Sequence, residues 1–214
     1  MLDRWTMPLI QRPLRRIAQT LLNKHITPDQ VTLSAFALGI TALPLLAWEQ
    51  YGLALLVIVL NRLGDGIDGA LARLAGRASD AGGFLDIGLD FVFYAAVVLG
   101  FALANPGQNA LAAALLLFAF IGTGTSFLAF AIAAKHQSIE RPHFPNKAFY
   151  YLEGLTEGTE TVMALVIFCL FPEHFSILAI LFSIACLTTT ATRLWGGYWT
   201  LRRHESANIA AADG

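Results

Sequence analysis

The chain has 214 residues, of which 56% are hydrophobic and 14% are charged, and its formal net charge is −1. This composition excludes an ordinary soluble domain and is typical of a polytopic membrane protein. We expect no nucleic-acid partner.

The N-terminal segment has the pattern of an amphipathic helix. Apolar residues recur at four- and three-residue steps, whereas polar and basic residues occupy the other faces: Ile10, Leu14, Ile17 and Leu21 against Arg12, Arg15, Arg16 and Gln19. This pattern predicts a helix over 1–25 that lies in the membrane interface. The helix either borders a headgroup pocket or serves only as an anchor that fixes orientation.

A start signal for the first spanning helix follows this segment. Thr27 can cap the helix, Pro28 suits its first position, and Gln30 completes a capping box. The sequence therefore predicts that a helix begins at Pro28.

Six apolar segments are near or above the roughly 20 residues that cross a bilayer as a helix. They cover about 29–48, 52–74, 83–104, 109–134, 147–171 and 174–200. We predict an all-α, integral membrane protein with a single domain over 1–214. It comprises the interfacial helix (1–25), a bundle of six transmembrane helices (28–203) and a tail (204–214).

The distribution of Lys and Arg predicts the topology of this bundle. All fourteen lie before the first span, at the end of the second, between the fourth and fifth, or at the end of the sixth. Loops rich in Lys and Arg stay on the cytoplasmic side of a membrane. Both termini and the acidic motif described next are therefore expected to be cytoplasmic.

Four aspartates lie in the second and third spans, at Asp65, Asp68, Asp86 and Asp90. Acids inside a membrane are costly and normally mark a functional site. Positions three or four apart share one face of a helix, so two packed helices would form a pocket of four negative charges. Such a pocket needs cations, and oxygen ligands without His or Cys indicate Mg²⁺ or Mn²⁺.

Other residues of the same motif favour phosphate chemistry. Gly69 and Gly82 remove side chains where a ligand could approach the backbone. Arg73 adds a planar cation that is suited to phosphate. Together with the carboxylates, these residues suggest phosphoryl transfer on a diphosphate.

The motif D-x2-D-G-x2-A-R-x8-G-x3-D-x3-D runs from Asp65 to Asp90. It resembles the signature of the CDP-alcohol phosphotransferases at every fixed position, and the chain is similar to a bacterial inner-membrane branch of that family. The resemblance implies that an alcohol attacks the β-phosphorus of a CDP-linked donor and that CMP leaves. The expected donor is CDP-diacylglycerol, although the family also contains members that use a soluble CDP-alcohol and a lipid acceptor.

The resemblance also implies roles for individual residues. Two ions, Mg²⁺ or Mn²⁺, would be held by the four aspartates, the first by Asp65, Asp68 and Asp86 and the second by Asp65, Asp86 and Asp90. Asp90 would also be the general base. The CDP group would contact residues that match the family pattern, namely Gly69, Arg73, Ser79, Gly82 and Thr32, with Asp29 at a position where the family often has Asn. An Asp accepts but does not donate a hydrogen bond, which sets Asp29 apart from the common pattern.

A second group of acids lies in the fifth span, at Glu153, Glu157 and Glu160. It could form an acceptor pocket, in which Lys135 and Arg193 would keep a phosphorylated acceptor possible. Alternatively, Glu153 or Glu157 could pair with Arg193 in a structural role.

Two other functions remain open from the sequence. The intramembrane carboxylates could carry ions in a cation transporter, or the chain could be a non-catalytic family member. Inverted repeats, which are frequent in transporters, are not visible, and the complete set of aspartates argues against a non-catalytic member. The resemblance further implies a homodimer and a location in the bacterial inner membrane. The distribution of Lys and Arg predicts that the active site faces the cytoplasm.

Overall fold

The computed structural model describes residues 3–76, 79–137, 156 and 158–212, and the regular structure in these ranges is helical. The α-helices are α1 Asp3–Asn23, α2 Pro28–Gly39, α3 Ala42–Ala47, α4 Tyr51–Ala75, α5 Asp80–Ala104, α6 Pro106–His136, α7 Gly158–Leu170 and α8 Phe175–Ala212, with a 3-10 turn at Pro172–His174 before α8. The all-α prediction is confirmed. Helix α8 includes residues 204–212, which we predicted to be a tail.

The start of α2 follows the predicted capping box. The Gln30 backbone N–H donates to Thr27 Oγ1 at 3.3 Å, and the Thr27 N–H donates to Gln30 Oε1 at 3.0 Å. The predicted first span is interrupted, however, because α2 ends at Gly39 and α3 begins at Ala42. Pro44 lies in the first turn of α3, where a missing N–H costs nothing, whereas it could not have continued α2.

Among the described residues, four stretches of helix are long and apolar enough to cross a membrane, namely Pro28–Ala47, Asp80–Ala104, Pro106–His136 and Pro172–Ser206. Helix α4 has 25 residues but carries the charged motif, and the apolar helix α7 has 13. The first part of the predicted fifth span lies outside the described residues. The count of six spans and the orientation of the termini stay predictions.

Helix α1 packs against α4 at the end of α4 that carries the aspartates. Leu14 and Ala18 are buried in one cluster with Ala70 and Leu71. A Cβ on Gly66 would lie 2.9 Å from Leu14 Cδ1, so the absence of a side chain there allows the two helices to approach closely. The predicted amphipathic segment therefore packs against α4, the helix that carries Asp65 and Asp68.

Aromatic rings pack together at the end of the bundle that is away from the aspartates. The Phe101 and Phe175 rings stack with centroids 4.5 Å apart, and the Phe168 ring meets Phe175 edge-on at 5.2 Å. All three side chains are buried. This contact joins α5, α7 and α8 at the end of α5 that is farthest from Asp86 and Asp90.

Candidate active site

Three of the four predicted metal ligands come together between α4 and α5. One carboxylate oxygen from each of Asp65, Asp68 and Asp86 lies within 4.8 Å of the others. Asp65 and Asp68 share a face of α4 because they are three residues apart, and Asp86 meets them from the antiparallel α5. Three converging carboxylates are a donor set that fits a hard cation such as Mg²⁺ or Mn²⁺.

Thr32 holds one of these carboxylates in place. Its hydroxyl donates to Asp68 Oδ2 at 2.5 Å, and Asp68 is only 6% exposed. Helix α2 brings Thr32 to this position. Partners that orient a metal ligand in this way are part of many metal sites.

Asp90, the fourth aspartate, forms an ion pair with Arg62 beside this cluster. Its Oδ1 accepts from Arg62 Nη2 at 2.6 Å, and its Oδ2 accepts from Arg62 Nη1 at 3.1 Å. The Tyr94 hydroxyl donates to the same Oδ2 at 3.1 Å. All four aspartates line one small cavity, and Asp90 is the one that accepts two hydrogen bonds from Arg62 within the described part of the chain.

Arg62 is itself held by several side chains. Asn61 Oδ1 accepts from Arg62 Nε at 2.8 Å and Nη2 at 2.6 Å, while Asn61 Nδ2 donates to the Ala35 carbonyl at 2.9 Å. The Phe93 and Tyr94 ring centroids lie 4.8 and 5.2 Å from the guanidinium carbon.

Asn61, Arg62 and Tyr94 are not among the site residues predicted from the sequence. Arg62 could have been found from its position, three residues before Asp65 in an apolar helix. A charged residue inside a membrane span is by default a candidate functional residue.

A cleft of about 570 Å³ adjoins the three carboxylates. Gly69 and Arg73, two of the predicted CDP-binding residues, line it. A Cβ on Gly69 would lie 3.4 Å from Arg73 Nη1, so the glycine leaves room for the guanidinium beside the helix. Leu14 and Arg15 of α1 form part of the wall. We call this cavity the first cleft.

Three other predicted CDP-binding residues lie together at the start of α5. Ser79 Oγ accepts from the Gly82 N–H at 3.0 Å and so caps the helix. A Cβ on Gly82 would lie 3.2 Å from Ser79 Oγ and 3.5 Å from Asp29 Oδ1. Asp29, Ser79 and Gly82 are therefore neighbours, although they are not among the described residues that line the first cleft.

A second cleft of about 470 Å³ lies on the other side of Asp90. Polar and charged side chains line part of it, from Asp90, Tyr94, Thr123, Thr156, Thr161 and Arg193. Arg193 Nη1 donates to the Thr123 carbonyl at 3.4 Å, and its guanidinium carbon lies 5.7 Å from the Phe127 ring centroid. Asp90 also lines a small cavity together with Asp65 and Asp86, so its carboxylate borders both the cluster and the second cleft.

The candidate acceptor residues are only partly brought together. Arg193 lines the second cleft, whereas Lys135 forms an ion pair with Asp80 at 3.1 Å, with both side chains exposed. Lys135 is not among the described residues that line the second cleft. Glu153 and Glu157 lie outside the described residues.

The sequence profile of the CDP-alcohol phosphatidyltransferases matches residues 25–191. The chain belongs to this family. It is accordingly a transferase of phospholipid synthesis, and its aspartate cluster is consistent with metal dependence.

Similar proteins come from bacteria and archaea. The chain is 58% identical to the inner membrane protein YnjF of Escherichia coli (strain K12) over 203 residues, which cover 94% of this chain and 98% of that protein. It is 36% identical to the archaetidylinositol phosphate synthase of Pyrococcus horikoshii over 98 residues, which cover 46% of this chain and 52% of that protein.

The fold is similar to that of a phosphatidylinositol phosphate synthase from Mycobacterium tuberculosis. The match to the crystal structure with CDP-DAG bound has a TM-score of 0.65 and a sequence identity of 21%. It covers 87% of this chain and 94% of the mycobacterial chain. The complex with manganese and citrate has a TM-score of 0.59 at 19% identity and covers 86% and 88%.

Proposed function

We propose that this transferase moves a phosphatidyl group from CDP-diacylglycerol to an alcohol and releases CMP on the cytoplasmic side of the inner membrane. The observation that carries this proposal is the convergence of Asp65, Asp68 and Asp86 beside a cleft that also contains Arg73. The CDP-DAG complex of the mycobacterial synthase and the inner-membrane relative from E. coli support the same donor and location. The comparisons give no support to the transporter alternative.

The first cleft is the proposed site of the CDP diphosphate. Arg73 presents a planar cation to phosphate oxygens, and Gly69 leaves space beside it. Arg15 adds a second guanidinium from α1, the helix expected to lie in the membrane interface. A lipid donor could therefore place its headgroup in the cleft while its acyl chains remain in the bilayer.

The three carboxylates would hold Mg²⁺ or Mn²⁺. The mycobacterial synthase has been crystallised in complex with manganese, which supports a metal of this kind. When bound, such an ion supplies positive charge that stabilises the phosphate oxygens during transfer. The chain's own contribution is to fix the ligands, and Thr32 does so for Asp68.

The second cleft is the proposed acceptor site. An acceptor hydroxyl there would give its proton to Asp90 as its oxygen attacks the β-phosphorus, and the bond to the CMP oxygen would break. The Thr hydroxyls of the cleft suit a polyol, and Arg193 suits a phosphate. Two relatives are named for inositol phosphate products, which supports a phosphorylated polyol as the acceptor.

The test is CMP release by the purified protein in detergent with CDP-diacylglycerol and Mn²⁺ or Mg²⁺. Acceptors to compare are inositol phosphate, glycerol phosphate and their unphosphorylated forms, with Asp90→Asn and the exposed Asp80→Asn as variants. We expect release that depends on a phosphorylated polyol, is lost in Asp90→Asn and is retained in Asp80→Asn. No release with any acceptor, from protein that is folded and binds metal, would overturn the proposal.

Two further expectations accompany this proposal. The family resemblance favours a second ion that shares Asp90, and it favours a homodimer. Metal titration and sedimentation of the detergent-solubilised protein measure these two properties directly.

A further inference from the structure

We infer that Thr189 is a positioning residue for the acceptor and that it acts through Thr156. Thr189 holds Thr156 in the wall of the second cleft, where the Thr156 hydroxyl oxygen accepts a hydrogen bond from a hydroxyl group of a polyol acceptor. The inference rests on the proposed function, in which the second cleft takes the acceptor.

Two hydrogen bonds attach Thr156 to Thr189. The Thr156 backbone N–H donates to Thr189 Oγ1 at 3.2 Å, and the Thr156 hydroxyl donates to the same oxygen at 3.1 Å. Both residues are buried, with exposed fractions of 7% for Thr156 and 0% for Thr189. Because one bond holds the backbone and the other holds the side chain, the contact fixes both the position of Thr156 and the rotation of its hydroxyl group.

Thr156 lies where the chain is not helical. It comes two residues before α7 begins at Gly158, whereas Thr189 lies within the long helix α8. Non-helical backbone in a membrane domain is tolerated where it is buried in protein or lines a cavity, because its polar groups need partners there. Thr189 supplies the partner of the Thr156 N–H, and the contact attaches the chain before α7 to α8.

Thr156 is part of the lining of the second cleft, and Thr189 lies behind it. The cleft has a volume of about 470 Å³, and Asp90 and Arg193 also line it. Thr189 is not among the described residues of this lining. An acceptor in the cleft would therefore be bordered by the proposed base, by a guanidinium and by Thr156, and Thr189 would affect it through Thr156.

The Thr156 hydroxyl has hydrogen-bonding capacity for a ligand. A threonine hydroxyl carries one proton and two lone pairs, and the proton of Thr156 is used in the bond to Thr189. The Cys186 thiol, which also lines the cleft, is within hydrogen-bonding reach of Thr156 and takes at most one lone pair. The other lone pair suits an O–H donor, so Thr156 fits a hydroxyl of the acceptor while Arg193 fits its phosphate.

The experiment measures binding and turnover of a polyol phosphate by the intact protein with Mn²⁺ in detergent. The probe is inositol phosphate or glycerol phosphate, whichever the wild type binds more tightly by calorimetry, and CMP release gives the kinetic constants. The variants are Thr189→Val, Thr189→Ser, Thr156→Val and the double variant Thr156→Val/Thr189→Val. Thr189→Val keeps the shape of the side chain and removes its hydroxyl, whereas Thr189→Ser keeps the hydroxyl.

We expect Thr189→Val to weaken binding of the polyol phosphate and to raise its KM roughly fivefold to tenfold, as the loss of a hydrogen bond does. The KM for CDP-diacylglycerol and the affinity for Mn²⁺ should stay within about a factor of two of the wild type. Thr189→Ser should bind the polyol phosphate like the wild type. A merely structural role of Thr189 would lower the apparent Tm without this selective effect on the acceptor, and that result would overturn the inference.

The double variant tests whether Thr189 acts through Thr156. Once the Thr156 hydroxyl is absent, removing the Thr189 hydroxyl should have little further effect. We therefore expect the double variant to bind the polyol phosphate within about a factor of two of Thr156→Val. Losses that multiply in the double variant would mean that the two residues act independently, which would contradict the inference.

Thr188→Val is the matched control. Thr188 is adjacent to Thr189 in α8, but it is exposed, and its hydroxyl donates to the Ile184 carbonyl of its own helix at 2.8 Å. This variant should leave the binding of the polyol phosphate and the kinetic constants unchanged. Equal losses in Thr188→Val and Thr189→Val would show that the effect arises from α8 in general and not from the contact with Thr156.

Loss of folding is the main risk for Thr189→Val, because the buried Thr156 N–H then lacks its partner. Thr156→Val keeps the bond from this N–H to Thr189 Oγ1 and removes only the group that is expected to contact the acceptor. Unchanged binding of the polyol phosphate in Thr156→Val would overturn the inference even if Thr189→Val does not fold.

The two readouts separate this inference from the proposed function. If the wild type binds the polyol phosphate but releases no CMP, the proposed function fails, and the binding data still decide the role of Thr189. If the wild type releases CMP and Thr189→Val leaves the acceptor KM unchanged, the inference fails and the proposed function stands. A wild type that binds neither polyol phosphate would overturn the inference.

Discussion

The Thr32 hydroxyl of α2 lies 2.5 Å from Asp68 Oδ2 on α4 and connects α2 directly to the aspartate cluster. Thr32→Val keeps the shape of the side chain and removes this donor. We expect Mn²⁺ affinity to fall roughly tenfold or more, because a partner that orients a metal ligand typically contributes that much. Calorimetric titration of Mn²⁺ measures the effect.

Thr188→Val is the control for this substitution. Its hydroxyl is exposed and bonds at 2.8 Å to the Ile184 carbonyl of its own helix. It should leave Mn²⁺ affinity unchanged. Equal losses in the two variants would mean that Thr32 has no specific role at the cluster.

Asp86→Asn should change thermal unfolding in opposite directions with and without metal. Without metal, removing one of three converging negative charges lowers their repulsion, so the apparent Tm should rise. With Mn²⁺, the wild type should gain stability from binding to the native state, and the variant should not. Scanning fluorimetry in detergent follows both curves.

Asp80→Asn tests whether this behaviour belongs to the cluster. Asp80 lies on the same helix but is exposed and paired with Lys135. Its Mn²⁺-dependent gain in Tm should equal that of the wild type. A loss of the gain in both variants would place the metal elsewhere.

Arg15 and Arg16 form an adjacent pair for testing the donor site. Both side chains are exposed, but Arg15 lines the first cleft and Arg16 is not among the described residues that line it. Arg15→Gln should raise the KM for CDP-diacylglycerol by roughly tenfold with little change in kcat, since one charged contact to phosphate is lost. Arg16→Gln should behave like the wild type, and identical kinetics in both variants would remove Arg15 from the donor site.

Gly100 allows α3 and α5 to approach each other. A Cβ at this position would lie 2.7 Å from Leu46 Cβ and 3.0 Å from the Leu43 carbonyl oxygen. Gly100→Ala should therefore destabilise the protein by about 1–3 kcal/mol, as overpacking generally does. Gly88→Ala, on the same helix with no atom within 4 Å of the added Cβ, should not lower the apparent Tm.

The sequence predicted a pocket of four aspartates. Helical periodicity alone puts Asp65 and Asp68 on one face, and a short connection makes α4 and α5 antiparallel neighbours, which brings Asp86 to them. It could not predict the partner of Asp90. Arg62 is near Asp65 along the chain, but which way its long side chain turns depends on Asn61 and the rings of α5. The break between α2 and α3 could not be predicted from the apolar pattern either, because that pattern continues across it. Pro44 is the residue that indicates the interruption.

Helix α8 has 38 residues and is about 57 Å long at roughly 1.5 Å per residue, nearly twice the ~30 Å hydrocarbon thickness. Its exposed aromatic residues Trp195, Tyr198 and Trp199 are of the type that settles at the membrane–water boundary. Arg193 of the second cleft precedes this belt by two residues. On the proposed function, the reaction takes place within about one helical turn of that boundary. A lipid donor and a water-soluble acceptor could then meet at this boundary. The lipid would not have to leave the bilayer, and the acceptor would not have to enter it.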